Sequence, residues 1–316
     1  MISPVGVFIG TTSIDVIDTK HNKFLYAIAL HAAGNGVVAI RKSDDDDDEV
    51  EGAGELWVGD AKSFVEVIDL RTRSIVADIN TFGNARADEL AYDPLHHILI
   101  VANDRDTPSP FVTFISTKTR SVLGSFKYDG TLGNPKTTNG IEQPVWNGKT
   151  GKFYISIPAT VANPTGEVDE IDPLTEKVTR VFPTACKGPA GLALVPGQRL
   201  VTSCGDVISI ASGAVLKTIV GGAGDEIWFN PGDERVYFGG GLDRISVPVF
   251  DTESTTNTLL TILVAGVVLT PPPSHTTHSV AADSENNRIF VPVSFEGVKV
   301  FTDSEDQEDH EGHQDR

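Results

Sequence analysis

One pattern recurs along the chain and narrows the folds open to it. A short apolar strand closes on Asp or a related residue, a polar turn follows, and another strand begins. The copies are Val16-Ile-Asp-Thr-Lys, Val67-Ile-Asp-Leu-Arg, Phe114-Ile-Ser-Thr-Lys, Glu170-Ile-Asp-Pro-Leu and Val249-Phe-Asp-Thr-Glu. Degenerate copies stand at Ser209-Ile-Ala-Ser and Val300-Phe-Thr-Asp, which makes seven. A second strand–turn–strand pattern precedes them. Examples are Asp88-Glu-Leu-Ala-Tyr-Asp-Pro before His97-Ile-Leu-Ile-Val-Ala, and Asp225-Glu-Ile-Trp-Phe-Asn-Pro before Arg235-Val-Tyr-Phe-Gly. Asn, Asp, Pro and Gly supply the backbone angles of these turns.

The unit is therefore four strands: an inner strand, a second strand, the strand ending in Ile-Asp, and an outer strand such as Ser74-Ile-Val-Ala-Asp-Ile. Inner strands start near Asn35, Asp88, Glu142, Ala190, Asp225 and His278, at spacings of 53, 54, 48, 35 and 53 residues. Four-stranded units at such a period predict an all-β chain, a seven-bladed β-propeller of antiparallel blades with little helix. Blades are covered on both faces, which accounts for runs of Val, Ile and Phe without clean alternation. The first unit lacks an inner strand ahead of Gly6 and the last an outer strand after Phe301. The termini are thus expected to close the ring together, since an unpaired edge is a liability.

Charge bounds the partners. Of 316 residues 44 are acidic and 25 basic, a formal net charge of −19. Nucleic acid and anionic membrane surfaces both call for a basic face, so neither is an expected partner. Asp44 to Glu49 is an unbroken acidic run, and seven acids with one Arg fill Asp303 to Arg316. The expected organisation is one domain over 1–302 with an acidic loop at 43–54, then a disordered acidic tail at 303–316. No apolar stretch reaches the ~20 residues of a transmembrane helix. The N-terminal stretch lacks a basic n-region, so the chain as written reads as cytoplasmic, or as secreted if a leader has been removed. Cys186 and Cys204 flank one hairpin and could pair in an oxidising compartment; two reduced thiols are the alternative.

Function in such a ring is sought where the loops entering the inner strands converge. Aligning those strands gives two columns. The first holds Asn35, Asp88, Glu142, Ala190, Asp225 and His278; the second holds Gly36, Glu89, Gln143, Gly191, Glu226 and Ser279. A strand is better served by Val or Thr than by acids. Convergent carboxylates repel and need a cation, a proton or strong donors nearby. Two chemistries follow. Glu142, Asp225 and His278, with Asp88, could hold a divalent cation such as Mg, Ca or Mn. Alternatively, one carboxyl with a raised pKa acts as general acid beside an ionised neighbour, with no cofactor. Side chains that simply cap inner-strand amides are the structural alternative. His31, just ahead of an inner strand, could reach the mouth. Trp146 and Trp228 could wall an apolar pocket, and Asn103 and Arg105 could orient a small-molecule substrate.

The Val-Ile-Asp-x-x-Thr copies, Ala87-Asp-Glu-Leu-Ala-Tyr-Asp-Pro and Gly191-Leu-Ala-Leu-Val-Pro resemble the seven-bladed YncE-like, YVTN/NHL repeat propellers over residues 6 to 302. That resemblance implies architecture and says little of function. In general appearance the chain is also similar to fungal propeller hetero-Diels–Alderases of tropolone sesquiterpenoid biosynthesis. That likeness implies a lyase or cyclase: acid–base dehydration to a quinone methide, then cycloaddition in an apolar cavity. A metal-dependent lactonase or lyase, and a non-catalytic binding or scaffold propeller, are the other classes.

Overall fold

The computed structural model describes residues 5–9, 12–41, 54–219, 224–240, 246–251, 259–264, 277–293 and 296–302. The acidic loop expected at 43–54, apart from Gly54, and the tail at 303–316 lie outside them. The described residues form no helix. In chain order the strands are β1 (Val5–Ile9), β2 (Ser13–Asp18), β3 (Lys23–Ala29), β4 (Gly34–Arg41), β5 (Gly54–Asp60), β6 (Phe64–Asp69), β7 (Ser74–Asn80), β8 (Leu90–Asp93) and β9 (Ile98–Asn103). They continue with β10 (Phe111–Ser116), β11 (Ser121–Lys127), β12 (Pro144–Asn147), β13 (Lys152–Ile157), β14 (Glu167–Asp172), β15 (Lys177–Pro183), β16 (Leu192–Val195), β17 (Arg199–Thr202) and β18 (Asp206–Ser209). The last are β19 (Val215–Thr218), β20 (Ile227–Asn230), β21 (Arg235–Phe238), β22 (Ser246–Asp251), β23 (Leu259–Val264), β24 (Ala281–Asp283), β25 (Arg288–Val293) and β26 (Gly297–Thr302).

These strands make antiparallel meanders arranged as a β-propeller. Five are four-stranded: β4–β7, β8–β11, β12–β15, β16–β19 and β20–β23. The terminal sheets, β1–β3 and β24–β26, have three strands each. Five complete blades therefore stand where seven were expected; an inner strand is missing from the first sheet and an outer strand from the last, among the described residues. Among the described residues the two terminal sheets share no strand and meet through side chains. The Thr19 hydroxyl donates to Asp283 Oδ2 (2.6 Å), and Arg288 Nη1 donates to the carbonyls of Thr19 (2.6 Å) and Lys20 (2.5 Å).

The repeat has a local cause. The pairing of third strand with outer strand shifts register at the motif's apolar residue in six sheets: Val16/Ile17, Val67/Ile68, Phe114/Ile115, Glu170/Ile171, Val207/Ile208 and Val249/Phe250. The acid that follows is a turn acceptor. Asp18 takes the amides of Lys20 and His21, Asp69 that of Thr72, and Asp172 those of Leu174 and Thr175. Each turn ends on a residue of positive φ: Asn22 (53°), Arg73 (58°), Arg120 (52°) and Glu176 (54°). Side chain and bulge thus set the hairpin within one loop. The degenerate copy in the fifth sheet is Val207-Ile-Ser, two residues ahead of the Ser209-Ile-Ala-Ser expected from the sequence.

The core lies between blades. One layer joins Ile100, Phe114 and Phe126 of β8–β11 to Phe153, Ile155 and Ile171 of β12–β15, all buried. Another joins Val65, Val67 and Trp57 of β4–β7 to Leu99, Val101 and Ile115 of β8–β11. Outer strands β7, β11 and β15 alternate exposed and part-buried residues, as rim strands should. Inner strands run side by side, β4 next to β8, β8 to β12, β12 to β16, β16 to β20 and β20 to β24. The approach is close enough to require glycine in the second column. A Cβ on Gly36 would lie 2.4 Å from the Asp88 carbonyl oxygen, and one on Gly191 would lie 2.5 Å from that of Asp225.

Cys186, in the chain entering β16, is disulfide-bonded to Cys204, which follows β17. The cysteines are 18 residues apart in sequence. Replacing both by Ser is expected to lower unfolding free energy by about 3 kcal/mol on loop-entropy grounds, measured as the urea midpoint without reductant.

Candidate functional site

The loops entering β8, β12, β20 and β24 bring their side chains to one end of the axis. Asp88 is buried (6% exposed) and pairs with Arg86 Nη2 at 2.6 Å. Arg86 also grips Asp104, with Nε on Oδ1 at 3.0 Å and Nη2 on Oδ2 at 2.8 Å. Asp104 is fully buried, and Arg105 Nε reaches its Oδ2 at 3.0 Å while most of that side chain stays exposed. Glu142 lies against this group: carboxylate oxygens of Asp88, Asp104 and Glu142 are within 4.8 Å of one another. Across the axis Asp225 Oδ2 bonds His278 Nδ1 at 2.8 Å.

The electrostatics follow from that crowding. Burial, then Asp88, Asp104 and Asp225, push the Glu142 carboxyl up to about 8 against a small opposing pull from Arg105. Burial raises Asp88 as well, although Arg86 beside it acts in the other direction; Asp104, Glu226 and Asp225 add to the rise. Glu89 is held well above its ordinary value by burial and by Glu226 opposite. The bond to Asp225 raises the His278 imidazole. Acids more than a hundred residues apart in sequence therefore feel one another, because the inner strands share an axis.

Not every expected residue belongs to this site. His31 does not reach the mouth: its imidazole bonds Asp78 Oδ1 (3.1 Å) on the outer strand β7. Its amide and that of Ala32 are taken by Glu66, so the grouping of His31, Glu66 and Asp78 is explained as loop capping. Asn35 donates to the Ala87 carbonyl (3.1 Å), and Gln143 accepts from the Leu192 amide (2.7 Å); both tie inner strands together. Asn103 is fully buried, donating to Ser63 Oγ (3.1 Å) and Thr81 Oγ1 (2.7 Å) and accepting from Thr113 Oγ1 (2.9 Å). Asn103→Ala should therefore cost about 2–3 kcal/mol in chemical denaturation, by stranding buried hydroxyls, whatever ligand is present. The Trp146 ring is part-buried and packs on Phe153 (centroids 4.7 Å apart) against the blade core. Trp228, on β20, is 43% exposed. Glu142, Asp225 and His278 do not form one ligand set: Glu142 sits with Asp88 and Asp104, and His278 with Asp225. Sequence reasoning missed Arg86 and Asp104. Arg86 stands two residues ahead of an aligned acid, and Asp104 follows Asn103 directly; only those adjacencies hinted at them.

Fold and cluster define the class: a β-propeller with an acidic, arginine-bridged group at one end of its axis. No protein-family model matches the sequence, and no curated protein matches it either. Among solved structures, a chain from one described as the crystal structure of a mitotic checkpoint complex superposes with a TM-score of 0.70. The match covers 95% of this chain and 85% of that one at 13% identity, which shows the fold alone. The finer YVTN/NHL and Diels–Alderase resemblances have no family match behind them. No helix among the described residues is long and apolar enough to cross a membrane.

Proposed function

We propose that the protein is a small-molecule enzyme of lyase type working by acid–base chemistry at the axial cluster. The observation that carries this reading is the contrast between neighbours. Arg86 clamps Asp104 and pulls Asp88 down against its burial, leaving that carboxyl at about 7, whereas burial and three acids keep the Glu142 carboxyl protonated up to about pH 8. A proton donor beside an arginine-held carboxylate is the arrangement elimination of water requires. In that step Glu142 gives its proton to a departing hydroxyl, the C–O bond breaks, and water leaves. Asp88 takes the proton that the substrate loses from its acidic hydroxyl. For a hydroxymethyl tropolone the product would be a quinone methide, which an alkene could trap by cycloaddition.

The metal-dependent reading is less well supported. Three carboxylates with oxygens this close suit a divalent cation, but the Arg86 guanidinium already lies on two of them. An ion there would have to displace it or bear its repulsion.

The test begins with the carboxyl itself. Carbon-13 NMR titration of Glu142, assigned through Glu142→Gln, should report a midpoint near the value of about 8 that its surroundings impose. A midpoint in the ordinary carboxylate range would sink the acid role. Turnover of hydroxymethyl tropolones or phenols, followed as loss of water by mass spectrometry, should survive chelator and fall by about 10²–10⁴ in Glu142→Gln.

A further inference from the structure

Three of the third strands, β6, β14 and β18, carry a buried acid at a fixed place, three residues before the turn residue of the motif. Glu66 holds it in β6 and Asp206 in β18. Each receives two successive amides from the chain entering its own sheet. Glu66 takes those of His31 (2.9 Å) and Ala32 (3.3 Å), and Asp206 those of Ala185 (2.6 Å) and Cys186 (2.9 Å). Asp169 stands at the same place in β14, but no amide reaches it. The chain entering that sheet is longer and folds on itself after Tyr128: Asp129 bridges Lys136, Thr137 bridges Thr160, and the Gly130 amide turns to the Pro135 carbonyl. Both Asp169 oxygens consequently lack a partner while fully buried.

Two more unpartnered oxygens lie with them. Glu167, on the same face of β14, uses Oε2 to accept from Thr160 (2.8 Å) and Asn163 (2.5 Å), but its Oε1 has no partner. The Tyr128 hydroxyl has none either, and its ring is fully buried. Burial raises both the Tyr128 phenol and the Asp169 carboxyl; Asp169 adds to the rise of the phenol and Glu167 to that of Asp169, while Tyr128 draws Asp169 the other way, so the three groups lie close to one another. Register puts Ile155 beside Asp169 and Ile157 beside Glu167, within the apolar layer that also holds Phe126 and Ile141. Ser156, also unpartnered, pairs with Val168 and so faces the other way. No Lys or Arg ion-pairs with either carboxylate among the described residues.

We propose that a divalent cation of the calcium class binds between Glu167 and Asp169, with Glu167 Oε1, the Asp169 carboxylate and the Tyr128 hydroxyl as ligands. The donors are all oxygen, and two carboxylates balance a charge of two. A single shared proton would leave a full negative charge in an apolar wall with no counter-ion, which burial opposes. The site pins the long 129–141 connection to the sheet it enters, the task that paired amides perform at Glu66 and Asp206. It is independent of the axial chemistry.

Terbium is the probe, since a tyrosine in its coordination shell sensitises its emission. Chelator-stripped protein should bind one terbium ion with Tyr-sensitised luminescence, displaced by calcium. Asp169→Asn should abolish the signal, Tyr128→Phe should dim it, and Glu142→Gln should keep it. Calcium at a hundredfold excess over Kd should raise the wild-type unfolding midpoint by about 5 °C. Asp169→Asn, which keeps the shape and lowers the charge, should lose that response. A stripped wild type with no calcium-dependent shift overturns the proposal, even if a variant fails to fold. So does a terbium signal that survives Asp169→Asn and disappears in Glu142→Gln, which would place the ion on the axis.

Discussion

Arg86→Met should destabilise the protein by about 3 kcal/mol at neutral pH, far more than loss of a surface ion pair. The reason is the company the guanidinium keeps. It is the cation shared by Asp104, which is fully buried, and Asp88, which is nearly so. Without it both carboxylates face Glu142 with only the largely exposed Arg105 in reach of Asp104. They would respond by holding protons more tightly in the folded state than in the unfolded one. A carboxyl with a raised folded pKa contributes stability at low pH and loses it as pH rises through that value. The deficit of Arg86→Met should therefore be smaller at pH 5 than at pH 8, and Asp104→Asn in the same background should recover part of it. Urea denaturation at the two pH values measures this. A loss below about 1 kcal/mol that does not depend on pH would mean the pair is merely a surface bridge.

Glu142→Gln should act in the opposite direction, making the fold more stable in alkali. The wild-type carboxyl moves from an ordinary 4.5 up to about 8 on folding. Between those values the folded chain keeps a proton that the unfolded chain has released, so wild-type stability falls with rising pH across that window. Below it the variant and the wild type should be equally stable. Above pH 8 the variant should lead by roughly 1–2 kcal/mol, a figure reduced for the partial exposure of the side chain and its screening by water. Paired with the loss of turnover expected of the same variant, this would be the signature of a working acid: a residue the proposed reaction needs and the fold would do better without. Equal stability of the two proteins at pH 9 would show that Glu142 is ionised at no cost, and the proton-donor role would fall with it.

The repeat could be read from sequence because its causes sit within a few residues of one another. Asp18, Asp69 and Asp172 cap their own hairpins, and the bulge beside each recurs at the same motif position. Where the acid becomes Ser209 the signal weakens, and the bulge of the fifth copy lies two residues ahead of where the sequence pattern points. Candidate residues were legible only as columns. Alignment of inner strands picked out Asp88, Glu142, Asp225 and His278, which do meet at one end. The same columns hold Gln143 and Asn35, whose hydrogen bonds tie inner strands together. Polar type and position cannot separate these two fates, since a side chain that caps a backbone amide and one that faces the axis occupy the same place in the repeat.

By itself the sequence determined the strands, their turns, the four-strand unit and the acids aligned at its start, because hairpin geometry depends on neighbours in the chain. Only the tertiary structure decided which acids find a cation and which do not. Arg86 reaches Asp104 across 18 residues, while Asp169 loses its expected amides because the connection entering its sheet is longer. The charge state of a buried carboxylate depends on what lies within a few ångströms of it, and in a ring of blades those neighbours come from distant parts of the chain.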